Sequence, residues 1–364
     1  MKSIRRLPLA LAALLNLAAA QAATPSVHIY NWYDYIAPNT TKEFQQASGI
    51  APVYDVFDNS DVMQSKLMAG RSGYDVVFAS ADLLPNLIKA GVLAELDRSQ
   101  LPNLAHLDPQ ILAKLQGNDP GNRFAAPYLW GTTGLGYDVD KIKARLGADA
   151  PLNSWDLIFK EENIAKLADC GVAMLDSPSE IIPIALHYLG LPYNSKNPED
   201  YRKAEALLLK VRPHIAYFDS SRFISDLANG NVCVVLGWSG GVFDARLAAD
   251  NARNGRDIRY SIPREGAPFW LESMVLLKDA PNPQQGLAFI NYMLRPEVIA
   301  ASTNYLGYPN ANKDAAPLVE AKIRDNPSVY PPQAVLDTLF ALEPLPLKYE
   351  RIRTRVWSKV KTGS

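Results

Sequence analysis

The stretch VHIYNWYDYIAPNTTKEFQQASGIAPVYDVFDNSDVMQSKLMAGRSGYDVVFA, residues 27–79, decides the fold. Within it Val27–Trp32, Val53–Phe57 and Asp75–Ala79 are short runs rich in β-branched and aromatic residues and read as strands. Thr40–Ala47, between the first two, and Asp61–Ala69, between the second two, carry helical patterning, the latter closed by Gly70. Strands alternating with helices argue for parallel sheets with crossover helices. Ser80-Ala81-Asp82 then opens a helix that stops at Gly91. A second series follows: strand Gly171–Leu175, helix Pro178–Leu189, strand Val232–Gly237 and helix Val242–Ala249. The fold class is α/β.

Working outward, the N-terminus reads as an address. Lys2, Arg5 and Arg6 precede an apolar stretch from Leu7 to Leu17, and Ala20-Gln21-Ala22 is an A-x-A cleavage site. This is the pattern of a secretory signal peptide over residues 1–22. Its apolar part is shorter than the ~20 residues needed to span a bilayer. The whole chain has 37 basic and 38 acidic side chains. Removing the leader leaves the mature chain mildly acidic and without basic runs, which argues against nucleic acid and anionic lipid as partners. A mature chain of about 340 residues is long for one core and predicts two lobes. No Pro/Ser/Gly linker separates them, so the chain crosses between lobes more than once. The two cysteines, Cys170 and Cys233, favour one disulfide in an exported protein; two buried thiols are the alternative.

In α/β sheets of this kind ligands sit beyond the carboxyl ends of the strands. That rule selects the residues after Trp32, Ser80–Asp82, Asp176–Glu180 and the residues after Trp238. One of these carries a catalytic signature: Gly237-Trp238-Ser239-Gly240-Gly241 matches G-x-S-x-G between a strand and a helix. A hydrolase of that class needs a histidine after the nucleophilic serine. The four histidines, at 28, 106, 187 and 214, all precede Ser239. Gly131-Thr132-Thr133-Gly134-Leu135-Gly136 is not a dinucleotide fingerprint, and the histidines lack zinc spacing. No cofactor is implied.

What collects at the strand ends is aromatic and acidic: Trp32, Tyr33, Asp34 and Tyr35; Ser80 and Asp82; Glu180; Trp238. Trp270 and Glu272 share a face of an extended Pro268–Leu276, and Tyr308 follows Gly307. Ring faces attract an ammonium group and carboxylates offset its desolvation. Each residue also has a plain structural reading. The tryptophans fit a core. Ser177-Pro178-Ser179-Glu180 fits a capping box, and Ser80 or Asp82 fits an N-cap. Glu272 fits a solvated strand charge.

The run Tyr30-Asn31-Trp32-Tyr33-Asp34-Tyr35-Ile36-Ala37-Pro38 resembles the opening of the periplasmic polyamine-binding proteins of ABC importers, nearest the putrescine-binding members. Val53-Tyr54-Asp55-Val56-Phe57-Asp58, Lys66–Gly70, Trp130–Tyr137, Asp226–Gly230, Asn310–Lys313 and Arg351–Trp357 carry the same likeness over nearly the whole mature chain. The resemblance implies a two-lobed periplasmic binding protein of type II kind, each lobe a sheet flanked by helices, with a small cation in the cleft between them. It implies lobe 1 from 26–132 plus 257–303 and lobe 2 from 134–254 plus 306–364. Cys170 and Cys233 match the family's disulfide. Carried over residue by residue, it places Trp32, Asp34, Tyr35, Ser80, Glu180, Ser220, Trp238, Glu272 and Tyr308 in the cleft; Tyr33, Asp82 and Trp270 join them from position. Asp34 and Glu272 are expected to hold ammonium groups. The implied partners are a polyamine and an inner-membrane ABC permease, with the binding protein a monomer and not an enzyme.

The chain departs from the putrescine-type pattern at four positions: Tyr33 for serine, Gly241 for aspartate, Trp270 for phenylalanine and Glu272 for aspartate. Trp270 without an acid at Gly241 is more similar to spermidine-preferring members. Tyr33 is expected to fill the space left beside Gly241. Another amine, such as an amino acid derivative or a guanidino compound, is the alternative ligand, and a ligand carboxylate would need a basic residue in the cleft.

Overall fold

A computed structural model describes residues 24–33, 35–57 and 60–363. The expected leader, Asp34 and Asp58 lie outside the described residues. Ten strands form: β1 (Ser26–Trp32), β2 (Ala51–Phe57), β3 (Val76–Ser80), β4 (Ala125–Asp138), β5 (Val172–Met174), β6 (Tyr217–Phe218), β7 (Val234–Trp238), β8 (Ile258–Ser261), β9 (Pro268–Leu276) and β10 (Phe340–Ala341). Helices follow β1, β2, β3, β5 and β7 where the alternation places them, at Thr40–Ser48, Ser60–Met68, Leu84–Lys89, Pro178–Tyr188 and Ser239–Ala252. The helix expected from Ser80 to Gly91 is broken: Ala81–Leu83 is a 3₁₀ turn, and the α-helix starts at Leu84 with Pro85 in its first turn, where its missing N–H costs nothing.

The strand order is β2-β1-β3-β9-β4-β7-β5-β6, with β10 beside β9 and β8 beside β4. It reads as two sheets sharing one strand. The first is parallel across β2-β1-β3; β9 then runs antiparallel to β3, and the Ala125–Thr132 half of β4 antiparallel to β9. The second is parallel across β6-β5-β7, then antiparallel to the Thr133–Asp138 half of β4, which also pairs with β8. The sheets are therefore mixed rather than purely parallel. β8 pairs with the second half of β4 and β9 with the first. Each sheet has its own apolar interior. Val27, Ile29, Val76, Val77 and Phe78 are fully buried in the first, and Val172, Ala173, Val234, Val235 and Leu236 in the second.

β4 escapes a propensity reading because Pro127, Gly131, Gly134 and Gly136 all disfavour strands. Its neighbours explain two of them. The register with β9 slips between Pro127 and Trp130, so Pro127 sits beside a bulge. The backbone groups freed there pair instead with the incoming 309–311 segment: Trp130 N–H donates to Pro309 O at 2.9 Å and Ala311 N–H to Tyr128 O at 3.0 Å. Gly131 lies under the Trp270 indole, where a Cβ would stand 2.2 Å from the ring. The disulfide forms, Cys170 to Cys233 with Cα atoms 5.5 Å apart, joining the segments that enter β5 and β7.

Candidate ligand-binding site

Strand register assembles the site. Ser80, the last residue of β3, lies opposite Glu272 of β9. The Ser80 hydroxyl donates to Glu272 Oε1, and the Trp32 indole N–H at the end of β1 donates to Glu272 Oε2 at 3.0 Å. Ser80 stands at the N-cap position of the following turn, yet its hydroxyl makes no capping bond. Glu272 is buried, 5 % exposed, and not a solvated strand charge.

The second sheet repeats the arrangement. Thr133 of β4 lies opposite Trp238 at the end of β7. The Trp238 indole N–H donates to Glu180 at 2.9 Å (Oε1) and 3.2 Å (Oε2), the Thr133 hydroxyl to Oε2, and the Ser177 hydroxyl to Oε1 at 3.1 Å. Glu180 is 7 % exposed. It sits in the first turn of its helix, but Ser177 makes no capping bond, so the capping box does not form. Trp32 and Trp238 are half-buried and tied to carboxylates rather than sunk in the cores.

Burial pushes the Glu272 carboxyl up to about 7; its hydrogen bonds from Ser80 and Trp32 act the other way and the charge of Asp82 adds to the rise. Glu180 is raised for the same first reason, against hydrogen bonds from Thr133, Trp238 and Ser177, with Asp82 again adding. Asp82, half-buried, is itself pushed up to about 6 by burial; its own backbone N–H and the Arg353 guanidinium hold it down, and Glu350 raises it. Asp82 thus acts on acids from both sheets. Among the described residues no lysine or arginine acts on Glu180 or Glu272, and Arg353 is paired with Glu350 at 2.6 Å. The acids face neutral donors and one another.

Aromatic rings close the space. Trp270 and Tyr308 meet edge to face with centroids 5.1 Å apart, and Tyr308 lies 5.7 Å from Tyr35. The bulge-paired 309–311 segment delivers Tyr308 to the start of the Ser239–Ala252 helix. A Cβ on Gly240 would stand 1.9 Å from the Tyr308 ring, so that position has no room for a side chain. Two buried polar atoms here have no partner among the described residues: the Tyr35 hydroxyl and the Trp270 indole nitrogen.

Tyr33 and Ser220 make other contacts than expected. Tyr33 is 74 % exposed, so it does not fill the space at Gly241; the Phe223 ring does, 2.5 Å from where a Gly241 Cβ would lie. Ser220 accepts from the Asp176 backbone N–H at 3.1 Å and so braces the loop after β5. Asp34 lies outside the described residues. Asp176, at another strand end, turns to the C-terminal helix, pairing with Lys361 at 2.6 Å and Trp357 Nε1 at 2.8 Å. Thr133 and Ser177 were missed as site residues; register opposite Trp238 is what brings Thr133 in, and no local pattern encodes it.

Ser239 starts a helix after a strand, as the elbow motif requires, but its hydroxyl accepts from the Thr132 N–H at 3.5 Å. The histidine ring bonds run elsewhere, His106 to Asp314 and His187 to Glu265 O. Among the described residues no group of His, Cys, Asp and Glu is arranged to hold a metal, and no helix is long and apolar enough to cross a membrane.

Residues 39–331 match the family model for bacterial extracellular solute-binding proteins. The chain is 62 % identical over 367 residues, covering all of both chains, to a putrescine/agmatine-binding protein of Pseudomonas aeruginosa. It is 48 % identical over 350 residues, 96 % of this chain and 95 % of the relative, to the putrescine-binding periplasmic protein PotF of Escherichia coli. Among solved structures it is similar to the spermidine/putrescine ABC transporter substrate-binding protein PotD of Streptococcus pneumoniae, with a TM-score of 0.81 and 26 % identity, covering 93 % of this chain and 99 % of that one.

Proposed function

The chain belongs to the bacterial extracellular solute-binding protein family, and on that premise we propose that it is the periplasmic substrate-binding component of an ABC importer that captures a polyamine of putrescine type. The observation that carries the ligand class is the pair of buried carboxylates, Glu180 and Glu272, one from each sheet, held by neutral donors with no basic side chain acting on either. A buried acid without a cation is poorly stabilised as an anion. A diamine supplies two ammonium groups and a methylene chain that fits between the rings of Trp32, Trp238, Trp270 and Tyr308. In this reading Glu272 and Asp34 hold ammonium groups and Glu180 engages amine hydrogens near the middle or one end of the ligand.

A zwitterionic amine is disfavoured, because its carboxylate would enter a site lined by acids; Arg353, the one basic group among the described residues that acts on the cluster, is already paired. Agmatine, with its guanidinium in place of one ammonium, meets the same charge requirement. The protein acts as a monomer that delivers its ligand to an inner-membrane permease. It is not an enzyme, and nucleic acid is not a partner. The test is calorimetry on the purified mature protein with putrescine, spermidine, agmatine and γ-aminobutyrate. Micromolar or tighter binding of the amines and none of γ-aminobutyrate is expected; preference for γ-aminobutyrate, or no amine binding, overturns the proposal.

A further inference from the structure

The chain passes from β8 of the second sheet to β9 of the first through residues 262–267. Residues outside that crossing grip its backbone at three successive positions. Arg264 N–H donates to Asn153 O at 2.8 Å, the His187 ring donates through Nε2 to Glu265 O at 2.5 Å, and the Trp155 indole N–H donates to Gly266 O at 2.8 Å. The Glu265 carboxylate accepts from the Ser154 hydroxyl and, at 3.3 Å, from the Trp155 backbone N–H. Gly266 permits the close approach. Its φ is +107°, and a Cβ there would lie 2.5 Å from Thr338 O and 2.8 Å from His187 Nε2. Ser154 and Trp155 are fully buried, and the His187 ring packs on Phe340 with centroids 4.7 Å apart.

This grip joins the two elements that carry the buried acids. His187 and Glu180 stand seven residues apart in the Pro178–Tyr188 helix, which puts them on one face, about 10 Å apart along the axis. Beyond the crossing, β9 starts at Pro268, and Glu272 follows four residues on, about 13 Å along the strand. We infer that the His187–Glu265 bond, backed by Ser154 and Trp155, sets the separation of Glu180 and Glu272 and so the length of diamine the site prefers. His187 is then a positioning residue, acting on the ligand only through the supports of the two acids. The inference rests on the polyamine reading above and deepens it. A charged N–H donor meets a carboxylate over a narrow range of about 2.7–2.9 Å. One methylene more or less moves the far amine well outside that range. Discrimination by length therefore depends on how rigidly the two acids are held apart.

The test is calorimetry with 1,3-diaminopropane, putrescine and cadaverine on the wild type, His187→Phe, His187→Gln and Ser154→Ala, with melting temperatures to report folding. His187→Phe keeps a ring against Phe340 and removes the donor. The wild type's preference for its best diamine over the next longer or shorter one should fall about fivefold or more in this variant. His187→Gln, whose amide N–H can reach the same carbonyl, should keep that preference within about twofold. Ser154→Ala, which removes a donor to the Glu265 carboxylate, should flatten the length profile in the same direction, and it decides the matter if His187→Phe does not fold. A purely structural role would scale all three affinities together. Equal losses for the three diamines, unchanged affinities, or a wild type without length preference overturn the inference and leave the polyamine reading intact. Failure of the wild type to bind any of the three overturns both.

Discussion

Around Glu272 the described neighbours Ser80, Trp32, Tyr35, Tyr308 and Asp82 supply hydrogen bonds, rings and one like charge, and among the described residues no cation acts on it. Because its folded pKa, about 7, lies above the usual 4.5, it contributes stability that is fully present below pH 4.5 and lost as pH rises through about 7. Asp82, raised to about 6, acts in the same direction over a lower window. Ligand-free protein should therefore lose stability from these groups between about pH 4 and 7, and ammonium binding should release protons. Putrescine affinity should strengthen from pH 5.5 to 8, and the binding enthalpy should vary with the ionisation enthalpy of the buffer. An affinity flat across that range would show that these acids are already ionised. Glu272→Gln should weaken putrescine roughly a hundredfold or more, since an ammonium would lose its buried partner, yet raise the melting temperature of the ligand-free protein at pH 8.

Also at the level of single residues, Gly241→Asp does not restore an ammonium anchor. Its Cβ would meet the Phe223 ring at 2.5 Å, and the cost is that of overpacking, about 1–3 kcal/mol. Tyr33→Ser, at an exposed ring, should be close to neutral and additive with it. Strong coupling between the two in denaturant titrations would contradict this geometry.

Among the elements, β4 carries the most. One half belongs to each sheet, with the change of partner between Thr132 and Thr133. The disulfide acts on a smaller scale. It ties the entries of β5 and β7, two adjacent parallel strands of the second sheet, across 63 residues of sequence. Reduction should lower stability by up to ~4 kcal/mol on the chain-entropy account. Urea midpoints with and without reductant measure this, and an unchanged midpoint would mean that the sheet holds those strand ends unaided. Ligand affinity should change little, because neither cysteine contacts the site residues.

For the molecule as a whole, the site is divided: Trp32, Ser80, Asp82, Trp270 and Glu272 come from the first sheet, Glu180, Trp238 and Thr133 from the second or its half of β4. A ligand that bridges them favours the closed arrangement by its differential contacts. Small-angle scattering should give a smaller radius of gyration with saturating putrescine than without it; equal radii would argue against hinge closure. Export belongs to this scale too. The mature protein should begin at Ala23 and be released by osmotic shock, and an intact Met1 terminus in the cytosol would contradict the leader reading.

The sequence by itself determined the α/β class and which residues stand at the strand ends of the candidate site: the alternation over residues 27–79 and 171–249 is a local pattern, and strand ends follow from it. Trp32, Ser80, Glu180 and Trp238 were legible because they terminate or follow strands that propensity marks. Only the tertiary structure decided the rest. β4 is hidden by its proline and glycines, which are tolerated because a bulge, an incoming 309–311 segment and the Trp270 ring occupy the space around them. Register, not residue type, sets Ser80 against Glu272 and Thr133 beside Trp238. Packing likewise decided that Phe223, and not Tyr33, lies against Gly241, because contacts between residues far apart in the chain depend on where whole elements dock.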